Sequence, residues 1–460
     1  AHHLDIGSLS PGSCGIVDAL DAYAEGLQFK AIKVYDRGQK VEAVWHMLRD
    51  NIRASDLVVG DMEAQVAASQ IGAERLLALV HRYGVDTLKR SCDQVMAYAE
   101  RLMRSAIAQV PDGTYSAKTF IDGFLDSPDT TKKDLPIVVT ITVEDDEMTV
   151  DLTGTADQVP DRPINMPFVG TVDIAIWLTI RSVLLDTAIH GHIPVNDGLC
   201  RPIRIVAPEG CLANPVFPAP TIARFCPGNQ LADTVMKALS QAVPSQVSAG
   251  IGNLRVIAFS GLDGDDYWVH MEICEGSYGG RKGIDGMDSV DTLYANTRNN
   301  PIEDIESHLP LRVTRYELRE DVCGAGKWRG GLGSIREFTY LKDGGGSIEG
   351  EGHKYKPWGF LGGKDGHTAA LTLQRADGRT EELPSKIPHT SAETGDKFAC
   401  IGPAGGGYGD PYERDTSLVL DDVLDELISI DTARNDYGVV ISDTLQLDEQ
   451  ATADCRAARA

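Results

Sequence analysis

The sequence predicts an α+β fold, with a helical N-terminal region followed by a mixed and then β-rich, glycine-containing C-terminal region. Three observations predict it. Apolar residues recur at helical spacing through residues 41–110, and from Pro136 the apolar period shortens to two. Beyond Gly276, clusters of glycine separate short β-type segments. With 460 residues, 42% of them hydrophobic and 24% charged, the chain can bury a large core and divides into more than one unit.

Residues 41–53 read as one amphipathic helical segment. Ser55 suits the N-cap of a long helix that ends at Tyr83-Gly84, where glycine supplies the stop. Along it Leu57, Met62, Val66, Ile71, Leu76, Leu77 and Val80 recur at roughly helical spacing. Asp86 caps a second long helix to Val110, broken by Pro111-Asp112-Gly113. Two long helices joined by so short a turn are expected to pack antiparallel. Next, Ile137, Val139, Ile141 and Val143 alternate with Val138, Thr140 and Thr142; Asp145-Asp146 turns the chain, and Met148, Val150 and Leu152 resume a β-hairpin. A helix over 169–185, a strand over 202–206 and a helix over 229–241 follow. Residues 257–260 and 267–273, split by Asp263-Gly264-Asp265-Asp266, form a second hairpin. Strands at 311–318, 335–340 and 369–373 lie between the glycine clusters and suggest an all-β region with tight corners. A last acidic helix over 418–428 precedes a short tail. The expected organisation is therefore an N-terminal loop with long helices (1–135), a mixed α/β region (136–275), a β-rich region (276–415) and a C-terminal helix and tail (416–460).

Composition narrows the function. A net charge of −25 argues against a nucleic-acid backbone or an anionic membrane as the main partner, since both need a positive face. Nine scattered cysteines never form Cys-x-x-Cys, which argues against a zinc ribbon, an iron–sulfur site or a disulfide framework and fits a reducing cytoplasm. The longest apolar stretch, 169–185, carries Asp173 and Arg181 and does not span a bilayer. Gly324-Ala325-Gly326-Lys327 lacks the first glycine and the Ser or Thr of a phosphate loop, and no Gly-x-Gly-x-x-Gly opens a helix. Ser347 misses the nucleophile elbow because Glu349 replaces its last glycine. His190 and His192 read as a surface turn. Asp285, Asp288 and Asp291 lack the ligand pattern of a calcium loop and read as solvated or as partner contacts.

Two clusters carry chemistry. At the N-terminus His2 or His3, together with Asp5, can point at one divalent ion if the loop curls back on itself. The run from Asn296 to Glu306 gathers amides and carboxylates beside a glycine-rich segment. Such groups either tie corner backbones together or line a polar pocket, and spacing leaves both readings open. Asn299, Glu303, Glu306 and Arg329 are the candidates for a pocket lining.

Taken together, the motifs AHHLDIGSLSPGS, GDMEAQVAA, DLTGTADQVP, NDGLCRPI, NPVFPAPT, NTRNNPIEDIE, GAGKWRGGLGSIRE, GFLGGKDG and GPAGGGYGDPYERD resemble the hydantoinase B/oxoprolinase family, in the family's order and over nearly the whole chain. The resemblance implies the B-type subunit of an ATP-dependent cyclic-amide hydrolase acting on a hydantoin, 5-oxoproline or a lactam. Alternatives are a subunit of a ketone carboxylase of the acetone or acetophenone type, and a non-catalytic scaffold subunit. It also implies an A-type partner with an actin-like ATPase fold in a heterotetramer or larger assembly. That partner binds the ATP and phosphorylates a substrate oxygen or bicarbonate. Relatives hold a divalent metal (zinc, manganese or iron) with a His-x-x-Asp pair, matched here by His2 and Asp5 with His3 as the runner-up. A later histidine stands before Glu-Gly in relatives; this chain has Ala24 there, leaving Glu25 as a substitute, and Ser8 departs from the usual pair of glycines. The last ligand is an aspartate upstream, and the start without methionine leads to the expectation of a preceding segment.

Overall fold

The computed structural model describes residues 3–459. A two-stranded ribbon, β1 (Tyr35–Asp36) and β2 (Gln39–Lys40), leads into helices α1 (Glu42–Asn51), α2 (Ser55–Tyr83) and α3 (Val85–Ile107). The buried indole of Trp45 donates to the Val34 carbonyl, tying α1 to the segment before β1, and shares an apolar cluster with Val58 and Val59 near the start of α2. Both long helices form where the apolar spacing placed them. The antiparallel packing expected between them is absent: no residue from 60 to 98 is buried, and Ile71, Leu76, Leu77, Leu79, Tyr83 and Val95 face solvent. Apolar residues wind around α2 instead of forming one stripe, so helical spacing there does not define a packing face. Only the last turns of α3 enter the core, through Ala99, Met103, Ala106 and Ile107.

A four-stranded sheet follows in the order β3 (Gly113–Gly123), β4 (Lys133–Glu144), β5 (Glu147–Asp151), β6 (Ile203–Val206), antiparallel except for the parallel β5–β6 pair. Leu135, Ile137, Val139, Ile141 and Val143 of β4 point inward, as the period of two requires. β3 was not announced by that alternation, because its buried positions include Ala117, Thr119 and Asp122. The β5–β6 crossover holds α4 (Asp173–Leu184) and the short α5 (Thr187–His190), and α6 (Phe225–Leu239) packs against β3 and β4. The helix expected over 169–185 begins only at Asp173, whose carboxylate accepts from the Gly170 and Ile174 amides and turns the chain.

The rest of the chain builds a sandwich of two antiparallel sheets. One is ordered β14 (Lys386–Ala392), β11 (Gly344–Gly350), β7 (Arg255–Asp263), β8 (Asp266–Cys274); the other β13 (Thr380–Leu383), β12 (Ala370–Gln374), β15 (Lys397–Ile401), β10 (Ser334–Tyr340), β9 (Leu311–Leu318), preceded by α7 (Ile302–His308). Ile257, Phe259 and Ile348 of the first sheet share a core with Phe338, Tyr340, Leu371, Leu373 and Phe398 of the second. Pairing crosses residue 135, where β3 joins β4, and residue 275, where β7 joins β11. Around the sandwich the glycine clusters bring backbones together. The Gly406 amide donates to Gly250 O, and a Cβ on Gly406 would lie 2.0 Å from the Trp358 carbonyl oxygen. In place of the single acidic helix and tail, the C-terminus forms α8 (Thr416–Leu424), α9 (Ile430–Tyr437) and α10 (Glu449–Ala457). The expected helix stops early because Glu426 takes a left-handed φ of 58°. Ser429 and Asp448 then cap two short polar helices that periodicity alone does not reveal.

Candidate active site

The N-terminal loop is organised by Asp5, whose side chain is fully buried. Its Oδ1 accepts from the Ser13 hydroxyl at 2.7 Å and the Gly7 amide at 3.1 Å, and its Oδ2 from the Ala54 amide at 2.9 Å. Arg53 adds bonds to the Ser8 and Leu9 carbonyls, so the loop is stitched to the start of α2. His3 turns the other way: its ring nitrogens lie 3.2 Å from Asp61 Oδ2 and 3.2 Å from Gln65 Nε2, both on α2. Residues 24–27 run back along the loop through Leu9 N–H to Ala24 O and Leu27 N–H to Ile6 O. Glu25 is directed to a different segment, accepting from the Ile222 amide at 2.6 Å and from the Thr221 amide. Burial raises its pKa, opposed by those two amides. His2 lies outside the described residues. Among the described residues no three His, Cys, Asp or Glu side chains converge as a metal ligand set. His3, Asp5 and Glu25 are each engaged with different partners, so they do not fit the implied ion by themselves.

Above this loop lies a cavity of about 700 Å³, lined by Leu9, Ser10, Asp18, Asp21, Tyr23 and Ala24 together with His389 of β14. The loop seats on the sandwich directly: the fully buried Ser347 donates to Gly15 O at 2.9 Å, which gives that serine a structural task. His389 reaches the cavity across Gly345, where a Cβ would lie 2.6 Å from the imidazole. Only glycine permits that approach. Burial lowers the His389 pKa, with Asp18 opposing the shift, and its Nδ1 is buried without a hydrogen-bond partner among the described residues. The imidazole is thus held neutral beside a carboxylate, in a cavity that also contains the Ala24 position. Asp21 is committed to a turn, accepting from the Tyr23 and Ala24 amides at 3.0 Å each.

The four pocket candidates are not brought together. Asn299 contacts Tyr316 and Arg336 Nη1, Glu306 accepts from the Val313 amide at 3.0 Å at the foot of β9, and Glu303 is exposed on α7. Arg329 is 5% exposed and bound elsewhere, to Asp288 at 2.8 Å and Asp422 at 3.1 Å. Arg414 joins Asp285 at 2.7 Å and Asp422 at 2.7 Å in the same network. Asp285 and Asp288 are therefore ion-paired inside the chain, where the sequence suggested solvated groups or partner contacts. Sequence reasoning missed His389, because nothing in Lys386-Ile-Pro-His389-Thr signals chemistry before β14 is paired with β11.

Comparison with known proteins accords with this architecture. A profile of the hydantoinase B/oxoprolinase family matches residues 1–411. A protein of Pseudomonas sp. strain NS671, named as the putative B-type subunit of a D-/L-hydantoinase, is 60% identical over 99% of this chain and 77% of its own length. The caprolactamase beta chain of Pseudomonas jessenii is 33% identical over 99% of this chain and 79% of its own. The crystal structure of ATP-dependent caprolactamase from that organism superposes with a TM-score of 0.86 at 31% identity, covering 99% of this chain and 79% of that one. A nucleotide-free acetone carboxylase shares the fold, with a TM-score of 0.88 at 18% identity, over 100% of this chain and 67% of that one. The chain belongs to the hydantoinase B/oxoprolinase family.

Proposed function

We propose that this chain is the B-type subunit of an ATP-dependent hydrolase that opens hydantoin rings, working with an A-type ATPase partner. The observation that carries the reading is the 60% identity, across almost the whole chain, to a protein named as the B-type component of a hydantoinase. Kinship with the caprolactamase beta chain supports a cyclic-amide substrate and a multi-subunit assembly. The chemistry explains why ATP is needed. An unstrained cyclic amide is a poor electrophile, and phosphorylating its oxygen turns that oxygen into a good leaving group.

The cavity beside the N-terminal loop supplies what the hydrolytic half requires. His389, neutral at working pH, takes a proton from water as the water oxygen adds to the activated carbonyl carbon. Asp18 then steadies the imidazolium. The ring C–N bond then opens, with the proton held by the imidazolium passing to nitrogen, to give a free ureido group and an acyl phosphate; a second water displaces inorganic phosphate and leaves the carboxylate.

The test is ATP-dependent ring opening by the chain reconstituted with its partner. His389→Gln is expected to lower kcat by about 100- to 10,000-fold, the range of general-base catalysis, while the complex still assembles. Unchanged kcat would remove His389 from the chemistry. Turnover of lactams or 5-oxoproline but not hydantoins would move the substrate class.

A further inference from the structure

A second cavity, about 280 Å³, opens where β3, α6 and the segment after β11 meet. Lys118 of β3, Lys237 of α6 and Lys356 all line it. Acids outnumber bases by 68 to 43 in this chain, yet among the described residues none of these three lysines forms an ion pair. Two of the ammonium groups lie against rings instead: Lys118 Nζ is 4.9 Å from the Phe120 centroid and Lys237 Nζ 5.6 Å from that of Trp358. Lys237 has the Asp233 carboxylate as a Coulombic neighbour, but among the described residues no acid pairs with Lys118 or Lys356, so the cluster keeps a net positive charge and is stabilised when an anion enters it.

The rest of the lining says which kind of anion. Phe120 and Tyr355 stack at 5.1 Å with 16° between their planes, and Trp358 and Pro357 continue the apolar wall. Asp233 forms a polar floor, 3% exposed and committed to its own donors: it accepts from the Ile251 amide at 3.0 Å, the Trp358 indole at 3.0 Å and Gln230 Nε2 at 3.3 Å. A bare inorganic anion would leave the rings unused.

We infer that this cavity binds a small organic carboxylate with a planar polar body, its charge among Lys118, Lys237 and Lys356 and its plane against the Trp358, Phe120 and Tyr355 rings. An N-carbamoyl amino acid, the open-chain product of a hydantoin, has this chemistry, whereas the neutral ring lacks the charge. Naming the product rests on the hydantoinase reading; the anion site does not. The site is separate from the catalytic cavity. His389 sits over Gly345 near the start of β11 and Gly352 follows its far end, roughly 20 Å away at ~3.3 Å per residue.

Isothermal titration calorimetry of the chain–partner complex with N-carbamoylglycine tests the inference, without relying on turnover. Saturable binding is expected, weakened at least ~10-fold by Lys237→Gln and by the double variant Lys118→Gln/Lys356→Gln, and unchanged by His389→Gln. Lys118 and Lys356 are exposed, so that double variant leaves the fold intact. Binding lost in His389→Gln but not in the lysine variants would place the probe in the catalytic cavity and overturn the inference, as would no binding at all. Inorganic phosphate binding as tightly as the probe would overturn the organic class. Lysine-dependent binding in a complex that opens no hydantoin would keep this site and sink the hydantoinase reading. Ring opening with no such binding would do the reverse.

Discussion

Asp5 and Asp233 are both buried carboxylates held by three donors. Replacing Asp5 by alanine leaves the Gly7 and Ala54 amides and the Ser13 hydroxyl without their acceptor, which costs about 3–9 kcal/mol at ~1–3 per orphaned group. Asp5→Ala is therefore expected to lower the melting temperature and speed amide exchange across residues 5–13. Unaltered exchange there would show that other contacts hold the loop. Asp233 is raised by burial from 3.8 to about 6, so its protonated form is favoured in the folded chain. The stability this contributes is complete below the unfolded pKa and is lost as pH rises through about 6. Against an Asp233→Asn control, the melting temperature of the native chain is expected to fall between pH 4 and pH 7, and a constant difference would refute the shift. Asp5 was legible in the sequence as chemically important because two histidines stand beside it. Its donor Ala54 lies 49 residues away, and only the fold brings it near. His389 was illegible for the same reason, since strand pairing, not spacing, delivers it.

At the scale of elements, helix extents and strand alternation read well, and N-caps and packing partners did not: the long helices are entered through Ala54 and Gly84, and neither Ser55 nor Asp86 caps one with its side chain. The helix starting at Ser55, the β4–β5 hairpin and the β7–β8 hairpin form where local pattern put them. Those signals are intrinsic to a few neighbouring residues. β3 escaped because a strand with small and polar inward positions has a weak period, and α9 and α10 because two short polar helices carry almost none. The α2–α3 arm shows the opposite failure: helices read correctly, then assigned a contact they do not make. Without a buried face between residues 60 and 98, little beyond local helix propensity holds this arm. Amide exchange of the isolated chain is expected to be faster over 63–95 than in β4 by about three orders of magnitude, equivalent to ~4 kcal/mol of opening free energy. Protection equal to that of β4 would mean the apolar stripes are covered after all.

Across the whole molecule, charge ties together what the chain order separates. Arg329 and Arg414, both buried, bridge the glycine-rich turns to α8 through Asp285, Asp288 and Asp422. Removing one partner of such a network strands the others without compensation. Arg329→Ala is expected to destabilise the chain by about 3–5 kcal/mol and to expose α8–α10 to limited proteolysis before the sandwich is cut. Cleavage in both at once would show that the C-terminal helices do not depend on this network. The crossing of glycine backbones has a further consequence, for how the chain is made. Gly405, Gly406, Gly407 and Tyr408 bond to Gly250, Gly280, Gly324, Trp328, Gly331 and Lys364, all of which leave the ribosome first. At ~5–20 residues per second, Gly250 waits roughly ten to thirty seconds for the segment that completes its surroundings. Until then those backbone groups are open edges in a nascent chain, so slower translation lengthens the time in which chaperones, or other nascent chains, compete for them.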